Sequence, residues 1–370
     1  MNDSAVRIQK GAVLVYRVFD VGEEIALART EACLADYSTR SRAQFLSDRR
    51  NAVIMQDAPL KISLGQTPLT LAETGYICDV SAKIWNYGVV SVMLRIPIPE
   101  DSPWNELVEL AAAIENSPAI NGIAAGFKDR ITEKIAPAIK GTSDWKTPED
   151  YITYFIERFT GADSPQELLD KANVPELVLA ETREDLSDRT RGFIMDEALQ
   201  YSRHDMAVID WNSALLIEPD GEMDVADIIE FSLTHLLELR YYDYILGNKL
   251  DALYDSIETL RGGIMTEFYA RASEDAGRKY IDFSELLERV ENSLKTVGDF
   301  YLAKVFRTAT KKFRFQDWRQ SVDRKMATLS ELSKLLSGEV NTRRSHWLEI
   351  IVIILIAIEV VPFLWTVMAK

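Results

Sequence analysis

Cysteine and histidine are scarce in this chain, and their scarcity removes whole classes of chemistry. Among 370 residues only Cys33 and Cys78 are cysteines, 45 positions apart and outside any CxxC pattern. Neither a disulfide framework nor a thiolate zinc site is readable, and a reducing compartment is the simplest expectation. The chain has 3 histidines, so His235 would have only His204 and His346 as further imidazole ligands. Basic residues are outnumbered, 42 against 58 acidic, for a formal charge of −16. Phosphate binding depends on Lys and Arg neutralising the backbone, so wholesale nucleic-acid binding is disfavoured. Glycine motifs are missing too. Gly122-Ile123-Ala124-Ala125-Gly126 lacks the Gly-Lys-Ser/Thr ending of a P-loop, and no G-x-G-x-x-G or G-x-S-x-G occurs; no cofactor and no catalytic residue is expected from these patterns. The first residues, Met1 to Lys10, are polar and lack the apolar core of a signal peptide, so the body is expected to stay where it is made.

What is present is ample apolar material, 47% of residues, in a chain longer than a usual single domain. Two units plus an appendage are the default expectation. Ala12 to Val18 is strand-like, and Glu23 to Asp36 carries Ile25, Ala28, Ala32 and Ala35 at helical spacing. Short strand-prone runs follow at Ala52–Met55 and Leu60–Leu64. Ile77–Trp85 and Val89–Ile96 flank Asn86-Tyr87-Gly88 as a hairpin, closed by Pro97 and Pro99. Trp104–Ala113 and Ser117–Lys140 are helical, with Pro118 suited to a first helical turn. Beyond a linker at Gly141–Pro148, Tyr151–Phe159 has the alternating aromatics of a strand and a length that also permits a helix, Pro165–Lys171 and Arg191–Gln200 read as helices, and Ala207–Asp210 and Ala214–Ile217 as strands. From Asp224 a helical face continues to Ala272, about 73 Å at 1.5 Å per residue. After a break at Glu274–Arg278 a second helical pattern runs from Phe283 to Leu336. The expected fold is α+β: a mixed domain over 1–140, a linker over 141–148, a second α/β portion over 149–220, a long antiparallel helical stalk over 221–341 and a transmembrane helix over 348–368.

That last segment, Leu348 to Met368, has the length of a membrane span, interrupted by Glu349, Glu359 and Pro362. Arg343 and Arg344 precede it, and the positive-inside tendency places the body in the cytoplasm, a single-pass, tail-anchored arrangement. Glu359 near mid-bilayer has two readings: a glutamate contacting another copy's helix, hence the homo-oligomer expected here, or a polar residue drawn toward the headgroups by tilt.

Candidate chemistry is thin. The acidic run Glu218, Asp220, Glu222, Asp224, Asp227 could hold a divalent cation but suits the start of a helix equally, where carboxylates offset the macrodipole. His235 and Glu238 share a helix face at metal-ligand spacing, though a packed core position is the plainer reading. Arg307, Lys311, Lys312, Arg314, Arg319, Arg324 and Lys325, interleaved with Phe313, Phe315 and Trp318, form a basic stretch able to touch RNA or anionic lipid.

Asp210-Trp211-Asn212-Ser213-Ala214, Leu237 to Asp243 with Arg240, Tyr241, Tyr242 and Asp243, Leu250 to Asp255, and Arg344 through Val361 resemble the "required for meiotic nuclear division" or YagE-type family. The resemblance implies a single-pass membrane protein, a bacterial member at the cytoplasmic membrane, with no established catalytic residues and a link to translation in relatives. The function expected from the sequence is a membrane-tethered, homo-oligomeric scaffold or adaptor holding a protein partner. Its alternatives are a tether for ribosomes or RNA, and a metal-dependent hydrolase using Asp210, Glu218 and His235.

Overall fold

The computed structural model describes residues 6–35, 40–42, 58–259 and 300–368, with isolated helical positions between 274 and 285. The expected strand Ala52–Met55 and the far end of the first long helix, 260–272, lie outside them. The chain divides into two compact units, one of residues 1–240 with 291–316, the other of 241–290 with 317–370.

The first unit is built on a nine-stranded sheet. Its elements in chain order are β1 (Arg7–Asp20), β2 (Glu24–Ile25), α1 (Leu27–Cys33), β3 (Arg40–Arg42), β4 (Leu60–Leu71), β5 (Thr74–Ile84), β6 (Val89–Pro97), β7 (Ser102–Pro103), α2 (Trp104–Glu115), α3 (Pro118–Ile135), β8 (Ile139–Lys140), β9 (Glu149–Thr160), α4 (Pro165–Lys171), α5 (Val174–Val178), α6 (Asp188–Met195), β10 (Met206–Ile209) and β11 (Ser213–Ile217). The strand order is β10-β11-β9-β1-β6-β5-β4-β3, with β7 beside the start of β1. All named pairings are antiparallel except β9 with β11, which the α4–α6 segment joins as a crossover. Ala12 to Val18 is buried without alternation. Such a run marks a strand covered on both faces, and β1 sits mid-sheet. The hairpin expected at Asn86–Gly88 forms, with Ile84 opposite Val90.

The stretch expected as a linker, Gly141–Pro148, is irregular, but β1 before it and β9 after it are adjacent in the same sheet. It therefore connects parts of one unit. Val13, Val15, Val92 and Ile152 face a core shared with α2 and α3 through Leu107, Ala111, Ile120 and Ile131. The alternate residues of the same strands, Tyr16, Lys83 and Tyr151, meet α7 (Asp224–Thr259) and the turn after α8 (Phe300–Lys312). Phe231 of α7 stands 5.5 Å from the Trp85 ring and 5.8 Å from Phe306 of α8. Helices thus cover both sheet faces, with β-strands supplying the middle layer.

The second helical pattern is not continuous. Helix α8 ends at Lys312, Arg314 takes φ +57, and α9 begins at Phe315 and runs to Met368. Phe313, fully buried, packs edge-on against Tyr151 at 5.4 Å and fixes the break. Where a break was expected, Glu274, Gly277 and Arg278 are instead helical, and Arg278 reaches Glu274 one turn away at 3.6 Å. In the second unit Asp243 accepts from Ser321 at 2.6 Å and pairs with Lys325 at 2.8 Å, beside buried Leu246, Leu250, Val322 and Met326.

The membrane span expected at Leu348–Met368 is corrected, because among the described residues no helix is long and apolar enough to cross a membrane. The uncharged run between Glu349 and Glu359 is nine residues. That is about 14 Å of helix against a hydrocarbon core of about 30 Å. Glu349 is exposed on α9, and the side chain of Glu359 lies outside the described residues.

Candidate functional site

The end of β1 is where the sheet body opens. Val21 donates to Gly88 O at 2.9 Å, Glu23 to Lys140 O at 3.0 Å and Ile25 to Asn86 O at 2.8 Å, which pins the chain leaving β1 between two loops. The approach is so close that a Cβ on Gly88, whose φ is +90, would lie 1.6 Å from Gly22 O. Only glycine fits there, because it lacks that atom and tolerates the left-handed region.

Beside this junction lies a cleft of about 380 Å³ lined by Phe19, Asp20 and Val21 from β1, Ala125, Lys128 and Thr132 from α3, and the 143–148 loop with Ser143, Trp145 and Lys146. Asp20 is 8% exposed. One of its oxygens, Oδ1, accepts from Gly22 N at 3.2 Å, while Oδ2 has no hydrogen-bond partner. Burial pushes this carboxyl up to about 7, and the neighbouring Glu23 adds to the rise, whereas Ser143 and the Gly22 amide oppose it. A carboxyl that titrates near neutrality in a cleft is a mark of a functional site. Lys128 lies 5.7 Å over the Phe19 ring and also pairs with Asp129.

A second polar group is closed to solvent. Lys83, the last residue but one of β5, places Nζ 2.8 Å from Asp227 Oδ1 and 2.7 Å from Glu230 Oε2 of α7. Burial would lower the Lys83 ammonium, but the two carboxylates outweigh it and raise it. Tyr16 beside them is raised by burial first and by Glu230 and Asp227 next. Glu149 at the start of β9 meets Arg240, whose Nη1 is 2.7 Å from both carboxylate oxygens; burial nevertheless pushes Glu149 up to about 7. These pairs clasp the sheet to α7 within the first unit.

The residues singled out in the sequence are scattered. Asp210, Trp211 and Asn212 form the β10–β11 turn: Asp210 is 3.5 Å from Lys312, Trp211 is exposed, and Asn212 reaches Glu115 at 3.4 Å. His235 is buried with Nδ1 3.0 Å from Phe231 O, and burial lowers it to about 4. Tyr241 and Tyr242 pack ring to edge at 5.6 Å, and Asp243 holds Ser321 and Lys325. Of the acidic run, Asp227 is engaged by Lys83. No group of three or more His, Cys, Asp or Glu able to hold a metal occurs among the described residues. Within the basic stretch Lys311 and Lys312 both pair with Glu197, and Arg319 lies 3.9 Å from Asp323. Asp20, Lys83 and Glu149 were not singled out in the sequence. Their signal is slight: a charge set at the end of, or inside, an otherwise apolar strand.

The model of a family described as "Uncharacterized protein MJ0711, N-terminal domain" matches residues 10–224, from β1 to the first residue of α7. Uncharacterized protein MJ0711 of Methanocaldococcus jannaschii is 20% identical over 258 residues, 70% of this chain and 78% of that protein. No solved structure matches. These matches overturn the resemblance to the "required for meiotic nuclear division" or YagE-type family. The residues that carried it lie in a tight turn, on a tyrosine-bearing helix and on an isoleucine-rich helix, local features that do not specify a family.

Proposed function

The chain belongs to the family of the uncharacterized MJ0711 N-terminal domain, and within it we propose a binding module: an adaptor whose sheet body captures a small polar ligand in the cleft over Asp20. The observation that carries this reading is the buried Asp20 carboxyl with Oδ2 unpartnered in a solvent-open cleft. Leaving a buried polar atom without a partner costs about 1–3 kcal/mol, and a ligand that donates to it would recover that cost. A volume of about 380 Å³ suits a small metabolite.

In the same reading the parts of α7 and α9 that meet through Asp243, Ser321 and Lys325 present the surface to which a partner protein docks, so that the scaffold expected from the sequence is kept without its membrane tether. The test is thermal denaturation of the full chain against a library of small polar metabolites. At least one compound should raise the midpoint of the wild type and leave Asp20→Asn unmoved. A library that moves neither protein would sink the proposal.

A further inference from the structure

The cleft over Asp20 is lined by groups of both charges, and that mixture says what class of molecule it takes. At its floor Asp20 stands near Glu23, and the charge acting on the Asp20 carboxyl comes from Glu23 rather than from the lysines of the cleft. On its walls are the ammonium groups of Lys128 from α3 and Lys146 from the loop, with the rings of Phe19 and Trp145 and the hydroxyls of Thr132 and Thr147. A simple anion would meet the Asp20 carboxyl. A simple amine would leave the lysines unsatisfied. One ligand answers both only if it carries both charges.

We propose that the cleft binds a small zwitterion of the α-amino-acid class, its ammonium donating to Asp20 and its carboxylate accepting from Lys146 and Lys128, with the side chain against Trp145. The ammonium supplies the donor that Asp20 Oδ2 lacks. Charge-assisted hydrogen bonds at both ends fix the orientation of the molecule, and the aromatic ring covers its apolar part. Lys146 is the freer of the two cations, since Lys128 is shared with Asp129 and the Phe19 face. Ionised Asp20 is the form that accepts from the ammonium. Among the charged groups around the cleft, Glu23 disfavours that form and Lys128 and Lys146 stand on the walls, so binding follows the ionisation of Asp20 and strengthens as pH rises from about 5.5 to about 7.5.

The inference rests on the cleft being a ligand site, and its test separates the two. The full chain is titrated by calorimetry with each proteinogenic L-amino acid, with ethanolamine as the ammonium alone and with acetate as the anion alone. One or more amino acids should bind at one per chain, with both half-ligands at least about tenfold weaker. Asp20→Asn and, separately, Lys146→Ala should each weaken that binding by about tenfold or more. Lys146 is exposed on a loop, so its variant keeps the fold if Asp20→Asn does not. Ethanolamine or acetate binding as tightly as the best amino acid would overturn the zwitterion but leave the cleft as a site. Amino-acid binding unchanged in Lys146→Ala and Asp20→Asn would place the ligand elsewhere and overturn the assignment. Absence of binding by every probe would overturn the ligand class, while the metabolite library independently decides whether the cleft binds anything.

Discussion

Burial sets the proton affinities of Asp20, Glu149 and His235, with opposite consequences for stability. Asp20 and Glu149, each held at about 7 when folded, give up their protons near pH 4 when unfolded. Between those values the folded chain binds one more proton at each, so stability falls as pH rises through the window. His235 is held at about 4, so the unfolded chain takes up its proton first, from about pH 6.5 downward, and stability falls with pH there. Together the three leave one extra proton on the folded chain, about 1.4 kcal/mol per pH unit. The thermal midpoint is therefore expected to be higher at about pH 5 than at about pH 7.5. The double variant Asp20→Asn/Glu149→Gln should reverse that slope, which then follows His235 alone; a calorimetric pH series decides it. Lys83 gives a second expectation at this scale. Lys83→Met strands two buried carboxylates and should cost about 3–5 kcal/mol, whereas Lys83→Met/Asp227→Leu/Glu230→Leu should recover most of the loss in urea unfolding.

At the level of elements, the β4–β5 hairpin shows why some structure was hidden. Leu60–Leu64 reads as a short strand, but β4 continues through Gly65, φ +83, to Leu71 and turns at Ala72-Glu73 with φ 44 and 70. Positive φ at both central residues is the habit of a type I′ turn, for which Asn-Gly is the recognisable sequence, and Ala-Glu sends no such signal. Ala72→Asn/Glu73→Gly relieves two side chains from the left-handed region and should add about 1 kcal/mol of stability, read from the unfolding midpoint at unchanged denaturant slope. The opposite case is the β5–β6 hairpin, where Gly88 lies in a visible turn between apolar runs and was read correctly. Helix α3 was equally legible from Pro118 at its first turn and its apolar period, ending at Ile135 rather than Lys140. The break at Phe313-Arg314 had no local signal, because what stops the helix is the docking of Phe313 on Tyr151, more than 160 positions away.

For the whole molecule, the sheet unit is discontinuous in sequence: it takes residues 1–240 and then 291–316. Helix α8 lies over the sheet face that holds Tyr151 and Trp85 through its contacts with Phe231. A chain cut after Arg240 lacks α8 and exposes this aromatic face. It is expected to bind a hydrophobic dye and lose its near-ultraviolet dichroism, whereas the full chain does neither; a cut chain with native dichroism would show that α8 is dispensable to the sheet.

The sequence by itself determined what depends on neighbours in the chain. Alternation and turn residues marked most strands, and a 3.6-residue period marked the helices. Only the tertiary structure decided which strands share a sheet, that Gly141–Pro148 joins rather than separates, and that Asp20, Glu149 and Lys83 are buried. Those facts rest on desolvation and on contacts between residues distant in sequence, and a charge in a strand looks the same on paper whether water or a helix will cover it.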